Sequence, residues 1–94
     1  MLFAITCSDK PDSAAVRAAN RPAHLDYVRA VADQVLVAGP TQTDDGEGMN
    51  GSVLIMEFDD LAAAKAFADN DPYNQAGLFE SVSVRPWKKV FPES

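Results

Sequence analysis

Residues 52–70 read SVLIMEFDDLAAAKAFADN, and this stretch decides the fold because it holds a complete strand followed by a complete helix. Residues 52–58 are strongly apolar, which predicts a buried β-strand. Asp59 or Asp60 can cap the helix that follows, and this helix is predicted to run from Leu61 to about Asn70 with apolar side chains on one face. A strand that leads directly into such a helix predicts helices packed on a sheet.

The segment on the N-terminal side of this unit contains another strand and helix. Residues 2–7 are apolar and predict a first strand, which ends in the turn-prone residues 8–12. A short helical turn is expected to continue through Ala19. The main helix is predicted to begin at Pro22, because proline suits the first helical position, where its missing N–H costs nothing.

Between these two units the chain contains a strand and a loop. Residues 35–38 predict a second strand, which Gly39 and Pro40 are expected to end. Residues 41–51 hold three glycines, three acidic residues and one apolar side chain, Met49. This composition predicts an exposed loop.

The order of elements is completed on the C-terminal side. Asp71-Pro72 ends the second helix, since the residue before a proline avoids the helical region. A turn over residues 73–77 then leads to a fourth strand over 79–85, in which Val82 and Val84 alternate with polar residues. The order β-α-β-β-α-β predicts an α+β, ferredoxin-like fold with an antiparallel four-stranded sheet and the helices on one face.

Composition limits the class of protein. The chain has 94 residues and a formal net charge of −6, which predicts a single domain over 1–94 and disfavours nucleic acid as a partner. No apolar run approaches the ~20 residues of a membrane span, and no signal peptide is recognised, so a cytoplasmic protein is expected. The single cysteine, Cys7, alternates with Phe3 and Ile5 and is predicted to be a buried apolar residue.

His24 is the only histidine, and its ordinary pKa of ~6.5 makes it the natural general acid or base of this chain. A carboxylate partner would be needed to orient its ring. Asp71, at the Asp-Pro corner, is the first candidate, and Asp33 is the second, although helical geometry directs Asp33 away from His24. The sequence alone also allows a histidine that only caps or packs a helix.

Three further residues are candidates for ligand binding. Arg21 precedes His24 by three positions, so both can share a helix face and hold an anion between them. Ser52 and Tyr73 are candidate hydroxyl donors near the same edge of the sheet. One cysteine and one histidine without a closely spaced ligand cluster do not predict a metal site.

The chain resembles the YciI-like (YCII-related) family along about nine tenths of its length. This family is related to the dimeric α+β barrel proteins and to muconolactone isomerase. The matching segments are RPAHL at 21–25, LVAGP at 36–40, GSV at 51–53, EF at 57–58, ADNDPYNQAGLF at 68–79 and VRPWKKVF at 84–91.

The resemblance implies an active site centred on a histidine and an aspartate, here His24 and Asp71, and a homodimer with a cleft beside the sheet. Some relatives act as dehydrochlorinases or lactone-type isomerases, so the resemblance favours an enzyme without naming its substrate. Our first hypothesis is that His24 moves a proton on a small anionic or phenolic metabolite, in an elimination or an isomerisation that requires no cofactor. The alternative is a non-catalytic domain that binds a ligand or serves as a dimeric assembly unit. Dimerisation is also expected because helices leave one sheet face bare, near which Trp87, Val90 and Phe91 add apolar area.

Overall fold

The structure is a computed structural model that describes residues 1–93. Its strands and helices follow the predicted order, with two additional short helices. The elements are Leu2–Asp9 (β1), Ala14–Arg29 (α1), a 3-10 helix at Ala32–Gln34, Val35–Gln42 (β2), Met49–Glu57 (β3), Leu61–Asp69 (α2), Pro72–Gln75 (α3) and Phe79–Trp87 (β4).

The four strands form one sheet in the order β2-β3-β1-β4, and every neighbouring pair is antiparallel. β1 therefore lies inside the sheet, while β2 and β4 form its edges. This arrangement confirms the predicted ferredoxin-like α+β fold.

The hydrophobic core lies between the sheet and the helices. Phe3 and Ile5 of β1 are buried, and the register pairs them with Met56 and Leu54 of β3, which are buried as well. Cys7 belongs to the same core, as predicted. Burying each large side chain of this kind contributes about 1.5–3 kcal/mol.

The prediction that the main helix begins at Pro22 is wrong, because α1 runs without interruption from Ala14 to Arg29 and contains Pro22. Proline inside a helix removes one backbone hydrogen bond and costs about 3 kcal/mol. Contacts on both sides of Pro22 offset this cost. Arg17 is paired with Asp9 of β1, and the Tyr27 hydroxyl donates a hydrogen bond of 2.8 Å to the carbonyl oxygen of Phe67 in α2.

The sequence predicts that the second strand ends at Gly39 and Pro40. This prediction is wrong, because β2 continues to Gln42. Proline is tolerated here because β2 is an edge strand, where a missing N–H can face solvent instead of a neighbouring strand. β3 begins at Met49, so the connection between the strands shrinks from the predicted 41–51 to residues 43–48.

In the second half of the chain the structure decides one open alternative and makes two smaller corrections. Asp60, and not Asp59, caps α2, since its side chain accepts a hydrogen bond of 2.8 Å from the backbone N–H of Ala63. The predicted turn over 73–77 contains the short helix α3. Trp87, expected outside the strands, is the last residue of β4.

The opposite face of the sheet is not covered by helices. Ala4, Thr6, Ser83 and Arg85 lie on it, because side chains alternate along a strand and their neighbours Phe3 and Ile5 face the core. A shallow cavity of about 420 Å³ opens on this face beside Trp87. Across residues 1–93 no helix is both long and apolar enough to span a membrane.

Candidate active site

A cavity of about 290 Å³ lies between α1 and the strands β2 and β3, with one wall completed by α3. It is on the helix-covered side of the sheet, opposite the bare face. The side chains that matter for its chemistry are Arg17, Arg21, His24, Ser52 and Tyr73. Four of the five predicted site residues therefore line one cavity, and the fifth, Asp71, contacts His24.

Asp71 holds the imidazole of His24 from outside the cavity. The Nδ1 atom of His24 lies 3.0 Å from Oδ1 and 3.1 Å from Oδ2 of the Asp71 carboxylate. Asp71 is only 4% exposed, and its Oδ1 also accepts the backbone N–H of Tyr73 at 2.8 Å, which caps α3. The carboxylate therefore favours the tautomer with the proton on Nδ1 and fixes the orientation of the ring.

The other ring nitrogen of His24, Nε2, is not held in the same way. Within residues 1–93, Nε2 has no hydrogen-bond partner. Every polar side-chain atom that is fully buried in that range has a hydrogen-bond partner. Nε2 is thus not fully buried, and His24 lines the cavity. With Nδ1 protonated, Nε2 carries the lone pair that can accept a proton from a bound molecule.

Tyr73 connects the residues of the site. Its ring stacks on the imidazole of His24, with ring centroids 4.1 Å apart and an angle of 13° between the planes, and its edge packs on Phe79. Burial raises the pKa of the Tyr73 hydroxyl, although the guanidinium groups of Arg17 and Arg21 act in the opposite direction. The hydroxyl is therefore neutral near pH 7 and available as a hydrogen-bond donor.

Sequence reasoning missed Arg17, which is only 8% exposed. Its Nε and Nη2 atoms bind the two carboxylate oxygens of Asp9 at 2.8 and 2.9 Å, and its guanidinium carbon lies 4.7 Å from the Tyr73 ring centroid. Arg17, Arg21 and His24 are spaced i, i+4 and i+7, the spacing of one helix face. This signal was hidden by the expectation that the helix begins only at Pro22.

Gly51 and Ser52 of β3 both contact Arg17. Nη2 of Arg17 donates to the carbonyl oxygen of Gly51 at 2.9 Å and to the Ser52 hydroxyl oxygen at 3.2 Å. Residue 51 must be glycine, because an added Cβ would overlap the carbonyl oxygen of Cys7 and would lie 2.6 Å from Oγ1 of Thr41. Ser52 keeps its own hydroxyl proton available for donation.

Arg21 and Asp33 differ in their relation to the cavity. Arg21 is solvent-exposed on the cavity wall, and no hydrogen bond or ion pair of its guanidinium is found within residues 1–93. Asp33 is exposed in the 3-10 helix, and the contact to His24 is made by Asp71. No group of three or more histidine, cysteine, aspartate or glutamate side chains suited to a metal occurs within that same range.

Comparison with solved structures finds the same fold in other proteins. A 5-chloro-2-hydroxyhydroquinone dehydrochlorinase from Burkholderia phenoliruptrix, TftG, solved with 2,5-dihydroxybenzoquinone, is similar with a TM-score of 0.87 and 40% identity, and the match covers 94% of each chain. A candidate antibiotic biosynthesis monooxygenase from Bacteroides thetaiotaomicron is similar in fold only, with a TM-score of 0.59 and 13% identity over 100% of this chain and 92% of that one.

Sequence comparison finds relatives that match over nearly the whole length of this chain. Protein YciI of Escherichia coli is 46% identical over 98 aligned residues, which covers 97% of this chain and 100% of that protein. An uncharacterised protein of Haemophilus influenzae is 38% identical with the same coverage. The family model of the YCII-related domain matches residues 1–88. This chain therefore belongs to the YCII-related family, as the sequence resemblance predicted.

Proposed function

We propose that this protein is an enzyme that uses no cofactor and that moves protons on a small phenolic or anionic ring compound. The observation that carries the proposal is the position of His24, which lines the cavity and whose Nδ1 is held by the carboxylate of Asp71, while its Nε2 is not fully buried. An imidazole oriented in this way serves as a general base and then as a general acid. His24 is the proposed catalytic residue, and Asp71 is its orienting partner.

Elimination of hydrogen chloride from a chlorinated trihydroxybenzene is the reaction that we favour, because the TftG relative is a dehydrochlorinase. In our scheme His24 removes a proton from one ring hydroxyl, and the ring carbon that bears chlorine takes up a proton. Chloride then leaves as a second hydroxyl gives up its proton. The net loss is one proton and one chloride, and the product is a hydroxyquinone, so no oxidant is needed. Isomerisation of a lactone would also use His24 to move a proton, but from one ring carbon to another and not from a hydroxyl.

The remaining candidate residues hold the substrate in this scheme. Arg21 attracts the negative charge that develops on a deprotonated oxygen, because charge-assisted hydrogen bonds are stronger than neutral ones. Ser52 and Tyr73 supply neutral hydroxyl donors from the wall facing α1. We expect an Arg21→Gln variant to lower kcat more than it raises KM, because the charge that Arg21 stabilises develops during the reaction.

The size of the cavity supports a single-ring substrate. Benzene occupies an engineered cavity of ~150 Å³, and pockets for drug-sized ligands begin at ~300 Å³. The volume here, about 290 Å³, lies between these values and suits a ring that carries a few substituents.

The test is turnover of 5-chloro-2-hydroxyhydroquinone under anaerobic conditions, followed by chloride release and by quinone absorbance, with a lactone as a second substrate. His24→Ala should reduce turnover at least ~100-fold, the lower range for loss of a general acid or base. Asp33→Ala is the matched control and should retain wild-type turnover, since Asp33 is exposed and outside the site. Unchanged turnover in His24→Ala would remove His24 from the mechanism.

The functional unit in this proposal is a homodimer joined through the bare sheet face. Exposed apolar side chains favour such an interface, since Val37 is 59% and Phe91 72% exposed in the isolated chain. They also favour the second candidate function, a non-catalytic ligand-binding or assembly domain. That alternative predicts that ring compounds bind in the cavity but are not converted, and that His24→Ala changes affinity alone.

A further inference from the structure

The cavity that His24 lines has two chemically different ends. Arg17 and Ser52 form one end, where hydrogen bonds to Asp9 and to β3 fix the guanidinium of Arg17. Val28 lines the other end. It follows Arg17 by eleven positions in α1, so at 1.5 Å per residue the two lie about 16 Å apart along the helix axis. The two ends therefore meet different edges of a single bound ring.

The register of the sheet defines the second end from the strand side. Leu54 is 3% exposed and pairs with Ile5, so its side chain faces the helices and the core. Ala38 of β2 is the cross-strand partner of Leu54, and partners of this kind project from the same face of a sheet. Both residues line the cavity. The side chain of Ala38 therefore projects on the cavity side, although Ala38 is exposed in an edge strand.

Helix α1 completes this end with Leu25 and Val28, which are half-buried and line the cavity. Val28 also packs against the hydrophobic core. The four side chains of Leu25, Val28, Ala38 and Leu54 are called the apolar end below. They carry no hydrogen-bonding group, so a hydroxyl placed against them would leave water without gaining a partner. An apolar group in the same place gains free energy by leaving water.

The polar side chains of the cavity lie toward the other end. Tyr73 contacts the ring of His24 and the guanidinium of Arg17. Arg21 lies one helical turn from Leu25, in the direction of Arg17. The reacting hydroxyl and a departing chloride belong on this side, because a cation stabilises a developing negative charge and an apolar surface does not.

We propose that the apolar end is a subsite for an uncharged, apolar edge of the ring, and that the small side chain of Ala38 sets the size of the group that it admits. The inference rests on the proposed placement of a ring compound in this cavity. It narrows the substrate class to rings whose position facing the apolar end carries hydrogen, a methyl group or another small apolar substituent, and not a hydroxyl. Ala38 is thus a specificity-determining residue that takes no part in the proton transfer.

The probes are hydroquinone, methylhydroquinone and hydroxymethylhydroquinone, which share one ring and are uncharged at neutral pH, since phenolic hydroxyls ionise near ~10. Anaerobic calorimetric titration of the wild-type protein should show that methylhydroquinone binds ~4-fold more tightly than hydroquinone, the gain for one buried methyl group. Hydroxymethylhydroquinone should bind no more tightly than hydroquinone, because its additional hydroxyl finds no partner. Equal affinities for the three probes, or no binding of any of them, would overturn the proposal.

Ala38→Leu fills the apolar end with a larger side chain. Its preference for methylhydroquinone over hydroquinone should fall from ~4-fold to about 1 or below, because the methyl group no longer has room. Ala38 is exposed, so the core should stay intact, and urea unfolding checks this. The control is Ala62→Leu, the same substitution on the exposed side of α2, which should keep the wild-type preference. A folded Ala38→Leu protein with the wild-type preference would contradict the proposal.

A second variant changes polarity and not size. Val28→Thr replaces one methyl group by a hydroxyl, so the affinity for hydroxymethylhydroquinone should rise relative to that for methylhydroquinone. An unchanged ratio would count against the subsite. His24→Ala should keep the wild-type preference for the methyl group. A protein with this preference and no turnover would therefore refute the catalytic proposal alone, whereas turnover without the preference would refute the subsite alone.

Discussion

Nδ1 of His24 lies 3.0 Å from Oδ1 of Asp71, although 47 residues separate them in the chain. The same oxygen of Asp71 accepts the backbone N–H of Tyr73 at 2.8 Å. One buried carboxylate thus joins α1 to the beginning of α3 and orients the imidazole at the same time.

Replacement of Asp71 separates these two roles. Asparagine caps a helix about as well as aspartate, so Asp71→Asn should retain the cap of α3, whereas Asp71→Ala should lose about 1 kcal/mol of unfolding free energy with it. An asparagine at this position does not provide the carboxylate that orients His24, and turnover should fall about 10- to 100-fold. Steady-state kinetics and urea unfolding of both variants test this prediction. Wild-type turnover in Asp71→Asn would show that the carboxylate has no part in catalysis.

The proposed dimer can be disrupted from the centre of the bare sheet face. Thr6 is exposed there, between β3 and β4, so Thr6→Glu should leave the monomer folded but place two carboxylates across a two-fold interface. Light scattering should give twice the chain mass of 10.1 kDa for the wild-type protein and the chain mass itself for the variant. Ala62→Glu, on the exposed side of α2, is the control and should remain dimeric. A monomeric wild-type protein at micromolar concentration would contradict the interface.

Gly51 and Gly39 offer a matched pair for testing the close approach of strands near Arg17. An alanine Cβ at 51 would overlap the carbonyl oxygen of Cys7, whereas nothing lies within 4 Å of a Cβ at 39. Gly51→Ala should therefore cost about 1–3 kcal/mol, as overpacking does, and Gly39→Ala less than about 0.5 kcal/mol. Urea unfolding measures both. Equal effects would mean that the strands near residue 51 adjust freely.

Cys7 should make stability depend on alkaline pH. Burial raises the pKa of its thiol from 9.0 to about 12, and the carboxylates of Asp71 and Asp9 act in the same direction. The folded protein therefore holds this proton more tightly than the unfolded chain does. The resulting stability is complete below pH 9.0 and is lost as pH rises from there toward about 12.

Comparison with Cys7→Ala isolates this contribution, because the tyrosines whose pKa values are also raised are present in both proteins. The unfolding free energy of the wild-type protein relative to Cys7→Ala should fall as the pH is raised above 9.0. Urea titrations at a series of pH values measure the difference. A difference that does not change with pH would show that the thiol ionises equally in both states.

The errors of sequence-based prediction in this chain occur where tertiary contacts outweigh a local rule. Pro22 and Pro40 both predict the boundary of an element, because proline lacks the N–H that a helix interior or a sheet uses. Pro22 lies inside α1, which is anchored on both sides of it, and Pro40 lies in an edge strand. Neither circumstance is visible in the residues that neighbour each proline.

The candidate site was predicted only in part, because some of its contacts also depend on the tertiary structure. His24 was identified as the natural acid or base because it is the only histidine, and Arg21 because it is close to His24 in the chain. Arg17 was missed because its importance comes from Asp9, whose carboxylate lies at the end of β1 and pairs with it across the turn into α1.

The sequence by itself determined the order of strands and helices, the ferredoxin-like class and the buried faces, since alternation along a strand and periodicity along a helix depend only on nearby residues. It left open whether Asp71 or Asp33 pairs with His24. Only the tertiary structure decided that question, and only it placed Arg17 in the cavity. Both outcomes depend on the length of α1 and on the strand register, which bring together side chains up to 47 residues apart and are set by the packing of the whole core.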